Sequence, residues 1–139
     1  MSFELYNKSK VWKQNSLSNL ENAKINNSLE DAFFDIACFD AQQALEFILK
    51  AVLKQSSIEY RTSGKEGHDI LYLSDLVLEE TDFIFEKSDD LTLLATTITS
   101  WEEKGRYYTG IKTKEDTIRR VLNIYDSMCA AFEKKYILK

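Results

Sequence analysis

The stretch LEDAFFDIACFDAQQALEFILKAVLKQ, Leu29 to Gln55, decides the fold. Phe34, Ala37, Cys38, Ala41, Ala44, Leu45, Ile48, Leu49 and Val52 recur at steps of three and four, the spacing of one helix face. Phe33, Ile36 and Phe47 add a second apolar flank, so this helix is covered on more than one side. Ser28, just ahead of the apolar run and three residues before Asp31, suits the capping position.

On either side the pattern stays helical. A weaker periodic segment, about Tyr6 to Asn26, places Trp12, Leu17, Leu20 and Ala23 on one face, interrupted by Ser16, Asn19 and Asn22. Gln55 to Gly67 reads as a loop, and a third helix begins near His68, carrying Ile70, Leu73, Leu76 and Val77 to about Glu80. Residues 81–88 either continue it or turn. A fourth segment, about Asp89 to Glu103, carries Leu91, Leu94, Ala95, Ile98 and Trp101, with Thr96, Thr97 and Thr99 weakening it. Gly105 and Gly110 bracket a short loop. The last helix, about Lys114 to Tyr136, aligns Ile118, Val121, Leu122, Tyr125, Met128, Cys129, Phe132 and Tyr136. Four or five such helices joined by short loops predict an all-α, up-and-down antiparallel bundle, a single domain over residues 1–139.

Composition agrees. The 139 residues include no proline and four glycines, and 44% are apolar. That length buries enough surface for one core without metal or disulfide staples. A single histidine and two cysteines 91 positions apart exclude a conventional zinc site, and Cys38 and Cys129 lack C-x-x-C spacing. Both cysteines read as buried thiols acting as small hydrophobes. No metal and no cofactor is expected. Met1 to Lys10 has no apolar core of a signal peptide, and no run approaches 18 apolar residues, so a cytoplasmic protein without a membrane span is expected.

The net charge of −5 conceals a gradient: residues 1–28 carry +2, residues 112–139 carry +3, and the middle carries −10. A uniformly basic nucleic-acid surface is excluded, though a local basic patch where the ends meet is not.

Chemistry has few places to sit. Glu79-Glu80, Asp89-Asp90 and Glu102-Glu103 are adjacent pairs, and neighbours on a helix diverge by about 100°, so they do not converge on one atom. Gly64-Lys65-Glu66-Gly67 is not a phosphate loop. On the second helix Asp40, Gln43, Glu46 and Lys50, with Gln42 beside them, form a polar row. It is either the wet side of the helix or the lining of a groove or dimer seam. His68 is either a general acid and base or a packing and capping residue at a helix start. Arg61 precedes it by seven positions. Arg106, with Trp101, Tyr107 and Tyr108, either binds a phosphate and stacks on a base or packs between helices.

Ala41-Gln42-Gln43-Ala44-Leu45-Glu46, followed by Lys50-Ala51-Val52-Leu53, resembles the HEPN domain family. The likeness extends through Trp12, Leu20, Ala23 and Ala37-Cys38-Phe39 upstream, and through Gly67-His68-Asp69-Ile70 and Arg106-Tyr107 downstream, roughly residues 12 to 132. The resemblance implies a helical bundle that commonly forms a homodimer. It also implies a nucleotidyltransferase partner encoded next door, often as a toxin–antitoxin pair, and suspected nucleotide binding. Many members are metal-independent ribonucleases, in which an Arg-x4–6-His motif from each subunit meets at the dimer interface. There the Arg steadies the phosphate and the His moves the proton as the ribose 2′-hydroxyl attacks. This chain departs from that motif: Ile111, Lys112 and Thr113 follow Arg106 where a histidine is needed, and His68 lies in a different loop. The resemblance therefore implies a binding module, with Arg106, Tyr107, His68, Gln43, Glu46 and Lys50 as contacts to a nucleotide or partner. The alternative is an RNA-cleaving enzyme using His68 with Arg61 or Arg106.

Overall fold

The computed structural model describes residues 3–25, 30–61, 70–95 and 111–138. They form helices α1 (Glu4–Ile25), α2 (Glu30–Gln55), α3 (Ile70–Glu80), α4 (88–95) and α5 (Ile111–Phe132). The last passes into a π-helical turn, Glu133–Ile137. No strand occurs among the described residues, and the protein is an all-α bundle. Residues 81–87 turn rather than continue α3. Ser28 and the expected stretch of the fourth helix beyond residue 95 lie outside the described residues.

The second helix is the central element, and its apolar face from Phe34 to Leu53 is almost wholly buried. Its second flank is less covered: Phe33 and Phe47 are half-buried, while Ile36 and Phe39 are exposed. α1 lies antiparallel to α2, with Ser16 beside Ala37 and Trp12 edge-on to Phe39 at 5.8 Å. It is antiparallel to α5 as well, because Tyr6 meets Glu133 while Ser9 meets Tyr125.

The weak pattern of α1 has a physical origin. Its innermost line is Tyr6, Ser9, Ser16 and Leu20, whereas Trp12 and Leu17 lie half-buried on the flanks. Two serines enter the core because each hydroxyl finds a partner. Ser16 Oγ donates to the Ala37 carbonyl at 2.8 Å. Ser9 Oγ donates to the Tyr6 carbonyl at 2.6 Å, leaving its lone pairs for the Tyr125 hydroxyl at 2.8 Å. Small residues on both sides (Ser16, Ala37, Ala41) let the backbones approach closely.

The start of α1, the end of α5 and the turn after α3 share an aromatic cluster. Tyr6 stacks on Phe132 with centroids 4.5 Å apart, Phe132 touches Tyr136 at 4.8 Å, and Tyr136 lies parallel to Phe83 at 6.4 Å. Cys38 is buried as expected; Cys129 is only half-buried, because its thiol reaches 3.6 Å to the Tyr6 hydroxyl at the edge of this cluster. Both thiols are free. No described helix is long and apolar enough to cross a membrane.

Candidate functional site

The polar row of α2 is not its wet side. Asp40, Gln42, Gln43, Glu46 and Lys50 are all buried. A charged group can sit there only if its hydrogen-bonding needs are met nearby, and helical spacing meets them. Lys50 Nζ donates to Glu46 Oε2 at 2.8 Å, one turn away. Gln42 Nε2 donates to Glu46 Oε1 at 3.1 Å, and Gln43 Nε2 donates to Gln42 Oε1 at 2.8 Å. The two amides thus extend a buried ion pair into a four-residue network along one helix. Phe47 shields it: the ammonium groups of Lys50 and of Lys8 from α1 each lie 5.9 Å from its ring centre.

Asp40 stands apart from that network. Its Oδ2 accepts from Asn19 Nδ2 at 2.8 Å across the α1–α2 contact. Burial pushes its carboxyl pKa above the ordinary range, opposed by the Asn19 hydrogen bond. The Tyr6 and Tyr125 phenols are likewise driven upward, chiefly by burial, so both stay neutral.

Beyond α2 the backbone makes a Schellman turn. Ile58 N–H bonds the Leu53 carbonyl at 2.9 Å and Ser57 N–H bonds the Lys54 carbonyl at 3.1 Å, with Ser57 left-handed at φ 57°. This turn folds the chain back over the end of α2 and sets Tyr60 within the field of Glu46. Burial raises the Tyr60 pKa first, and the Glu46 charge adds to it. Arg61 follows, exposed, its backbone N–H donating to the Tyr72 hydroxyl at 3.2 Å.

The same turn shapes a groove of about 700 Å³ between the ends of α1 and α2, lined by Glu4, Leu5, Lys54, Ser57, Ile58, Glu59 and Tyr60. That volume is within the usual range for small-ligand sites. Apolar walls (Leu5, Ile58), an aromatic ring (Tyr60) and an ammonium group (Lys54) converge on it. Lys8 pairs with Glu4 at 3.3 Å on the α1 side. The sequence reading singled out none of the groove residues. Even Tyr60 is marked in the sequence only by the aromatic–cation pair Tyr60-Arg61.

A HEPN domain family model matches residues 9–135. The chain belongs to the HEPN domain family. No curated protein and no solved structure gives a match. Among the expected HEPN contacts, Gln43, Glu46 and Lys50 are brought together, as partners of one another through Gln42. His68, Arg106 and Tyr107 lie outside the described residues. The amides of Gln42 and Gln43 and the carboxylate of Glu46 therefore build the interior of the bundle.

Proposed function

We propose that this chain is a non-catalytic HEPN binding module, working in the cytoplasm as a homodimer. It docks a small nucleotidyltransferase in a toxin–antitoxin-like pair and binds a nucleotide. One observation carries the choice against ribonuclease: the only histidine, His68, precedes α3, and no histidine follows Arg106 at the motif's spacing. An imidazole is the proton carrier that metal-free RNA cleavage of this type requires. Without one beside Arg106, that Arg remains a phosphate-binding and docking group, and Tyr107 an aromatic surface next to it.

Nucleotide binding is supported further by the groove at the end of α2. Tyr60 offers a face for a base, Lys54 a charge for a phosphate, and Glu59 a carboxylate for ribose hydroxyls. The decisive experiment is co-purification of this chain with the product of the adjacent reading frame. A chain indifferent to that product and to nucleotides overturns the reading. Incubation of RNA with wild type and His68→Ala separates the enzyme alternative: cleavage by wild type that the variant loses establishes a ribonuclease.

A further inference from the structure

The groove beside Tyr60 has two walls, and each is attached to a third element. Glu4 and Leu5 of α1 form one wall, while Ser57, Ile58, Glu59 and Tyr60 in the turn after α2 form the other. The first wall is fixed from the end of α5. Tyr6 O–H donates to Glu133 Oε2, the Tyr6 ring stacks on Phe132, and Phe3 meets Phe132 edge-on at 6.0 Å. The second wall begins beside Ser56, whose hydroxyl lies 3.4 Å from the Tyr136 hydroxyl. Both polar attachments therefore come from one short element, the π-helical turn Glu133–Ile137.

The geometry of that turn lets it serve both walls. Its backbone closes from Leu138 N–H to the Glu133 carbonyl at 2.7 Å, five residues back, where an α-turn closes after four. More residues per turn means a smaller rotation for each. Glu133 and Tyr136 are thereby spread further around the axis than in an α-helix, so one reaches α1 while the other reaches the end of α2. Tyr136 is held from behind as well, parallel to Phe83 at 6.4 Å and against Phe132 at 4.8 Å. Lys135 adds an ion pair to Asp82 at 3.1 Å. Turns of this type are rare and occur frequently at functional sites.

We propose that the π-turn is a clamp on the groove. Glu133 positions the Glu4–Leu5 wall through Tyr6, and Tyr136 positions the Ser57–Tyr60 wall through Ser56. Neither Glu133 nor Tyr136 lines the groove, so both are positioning residues. A ligand that touches both walls binds best when they are already set, because ordering a loose wall costs affinity. The effect on nucleotide binding rests on the reading of this groove as the nucleotide site; the restraint on the walls does not.

Hydrogen exchange of the full chain, followed by NMR, tests the restraint, and titration with adenosine monophosphate tests its effect on binding. Glu133→Ala speeds exchange of the Asn7 amide, which bonds the Phe3 carbonyl at the start of α1. Tyr136→Phe keeps the ring contacts, loses the hydroxyl, and speeds exchange of the Ser57 and Ile58 amides. Each rate rises about 3- to 10-fold, the effect of one lost hydrogen bond on a local opening, and each variant leaves the other wall at its wild-type rate. Adenosine monophosphate binds both variants about 3- to 10-fold more weakly. Glu133→Gln, whose amide oxygen still accepts from Tyr6, retains wild-type binding. Wall amides that exchange as in wild type, or both walls loosened alike by either variant, overturn the clamp. Loosened walls with unchanged nucleotide affinity overturn its positioning role. Loosened walls in a chain that binds no nucleotide uphold the restraint and remove the nucleotide reading instead.

Discussion

Lys50 Nζ lies 2.8 Å from Glu46 Oε2 with both side chains buried inside a single chain. Taking both charges out of water costs several kcal/mol for each, and the pair persists because each partner supplies what the other lost. Gln42 completes the carboxylate's second oxygen. The structure is therefore more sensitive to breaking the pair than to replacing it.

Glu46→Ala leaves a buried ammonium without its carboxylate and costs about 3–5 kcal/mol of stability. The double variant Glu46→Leu/Lys50→Met loses much less than the single one, since no charge is stranded. Urea denaturation of the three proteins reads both values. Equal losses for the single and double variants would show that the pair contributes only volume.

Ser57 adopts φ 57°, the conformation that glycine takes without a Cβ penalty. Ser57→Gly stabilises the protein by up to about 1 kcal/mol, measured as a shift in the urea midpoint at unchanged slope. Ser57→Val moves the midpoint the opposite way.

Asp40 gives a pH dependence whose sign follows from its raised pKa. Below its ordinary value near 3.8 the carboxyl is protonated in folded and unfolded chains alike. As pH rises the unfolded chain releases its proton first, so this group's contribution to stability falls until the folded pKa has been passed. Asp40→Asn keeps an oxygen to accept from Asn19 and removes the charge. Its stability relative to wild type therefore increases from about pH 3 to about pH 7. A difference that stays constant across that range would show that burial does not penalise the carboxylate.

Adenosine monophosphate raises the melting temperature if the groove beside Tyr60 binds it. At about a hundred times Kd the apparent gain is about 2.7 kcal/mol. Tyr60→Ala removes a stacking surface worth about 1–3 kcal/mol, a loss of about 5- to 150-fold in affinity. Lys54→Glu weakens the monophosphate more than the uncharged nucleoside. A shift unchanged in both variants would place the nucleotide elsewhere.

The bundle was legible in the sequence because α2 and α5 repeat apolar residues at helical steps, and that signal is local. The interior of the site was only half legible. Gln42, Gln43, Glu46 and Lys50 were visible as a row, but a polar row looks the same whether it faces water or closes on itself. On α1, reading Trp12 and Leu17 as the inner face missed Ser9 and Ser16. Their burial depends on a tyrosine 116 positions and a carbonyl 21 positions away. The groove was not legible: Glu4 and Tyr60 are far apart in the chain and meet only because α1 and α2 are antiparallel.

By itself the sequence determined the helical class, the family and the misplacement of the sole histidine relative to the ribonuclease motif. Each depends on residue type and spacing along the chain. Tertiary structure decided which polar groups are interior, where Tyr60 stands over the end of α2, and that Ile84 projects while Phe83 and Phe85 do not. Those outcomes turn on desolvation and pairing. A side chain's cost of burial is set by the partner it meets across the bundle, and no local pattern encodes that partner.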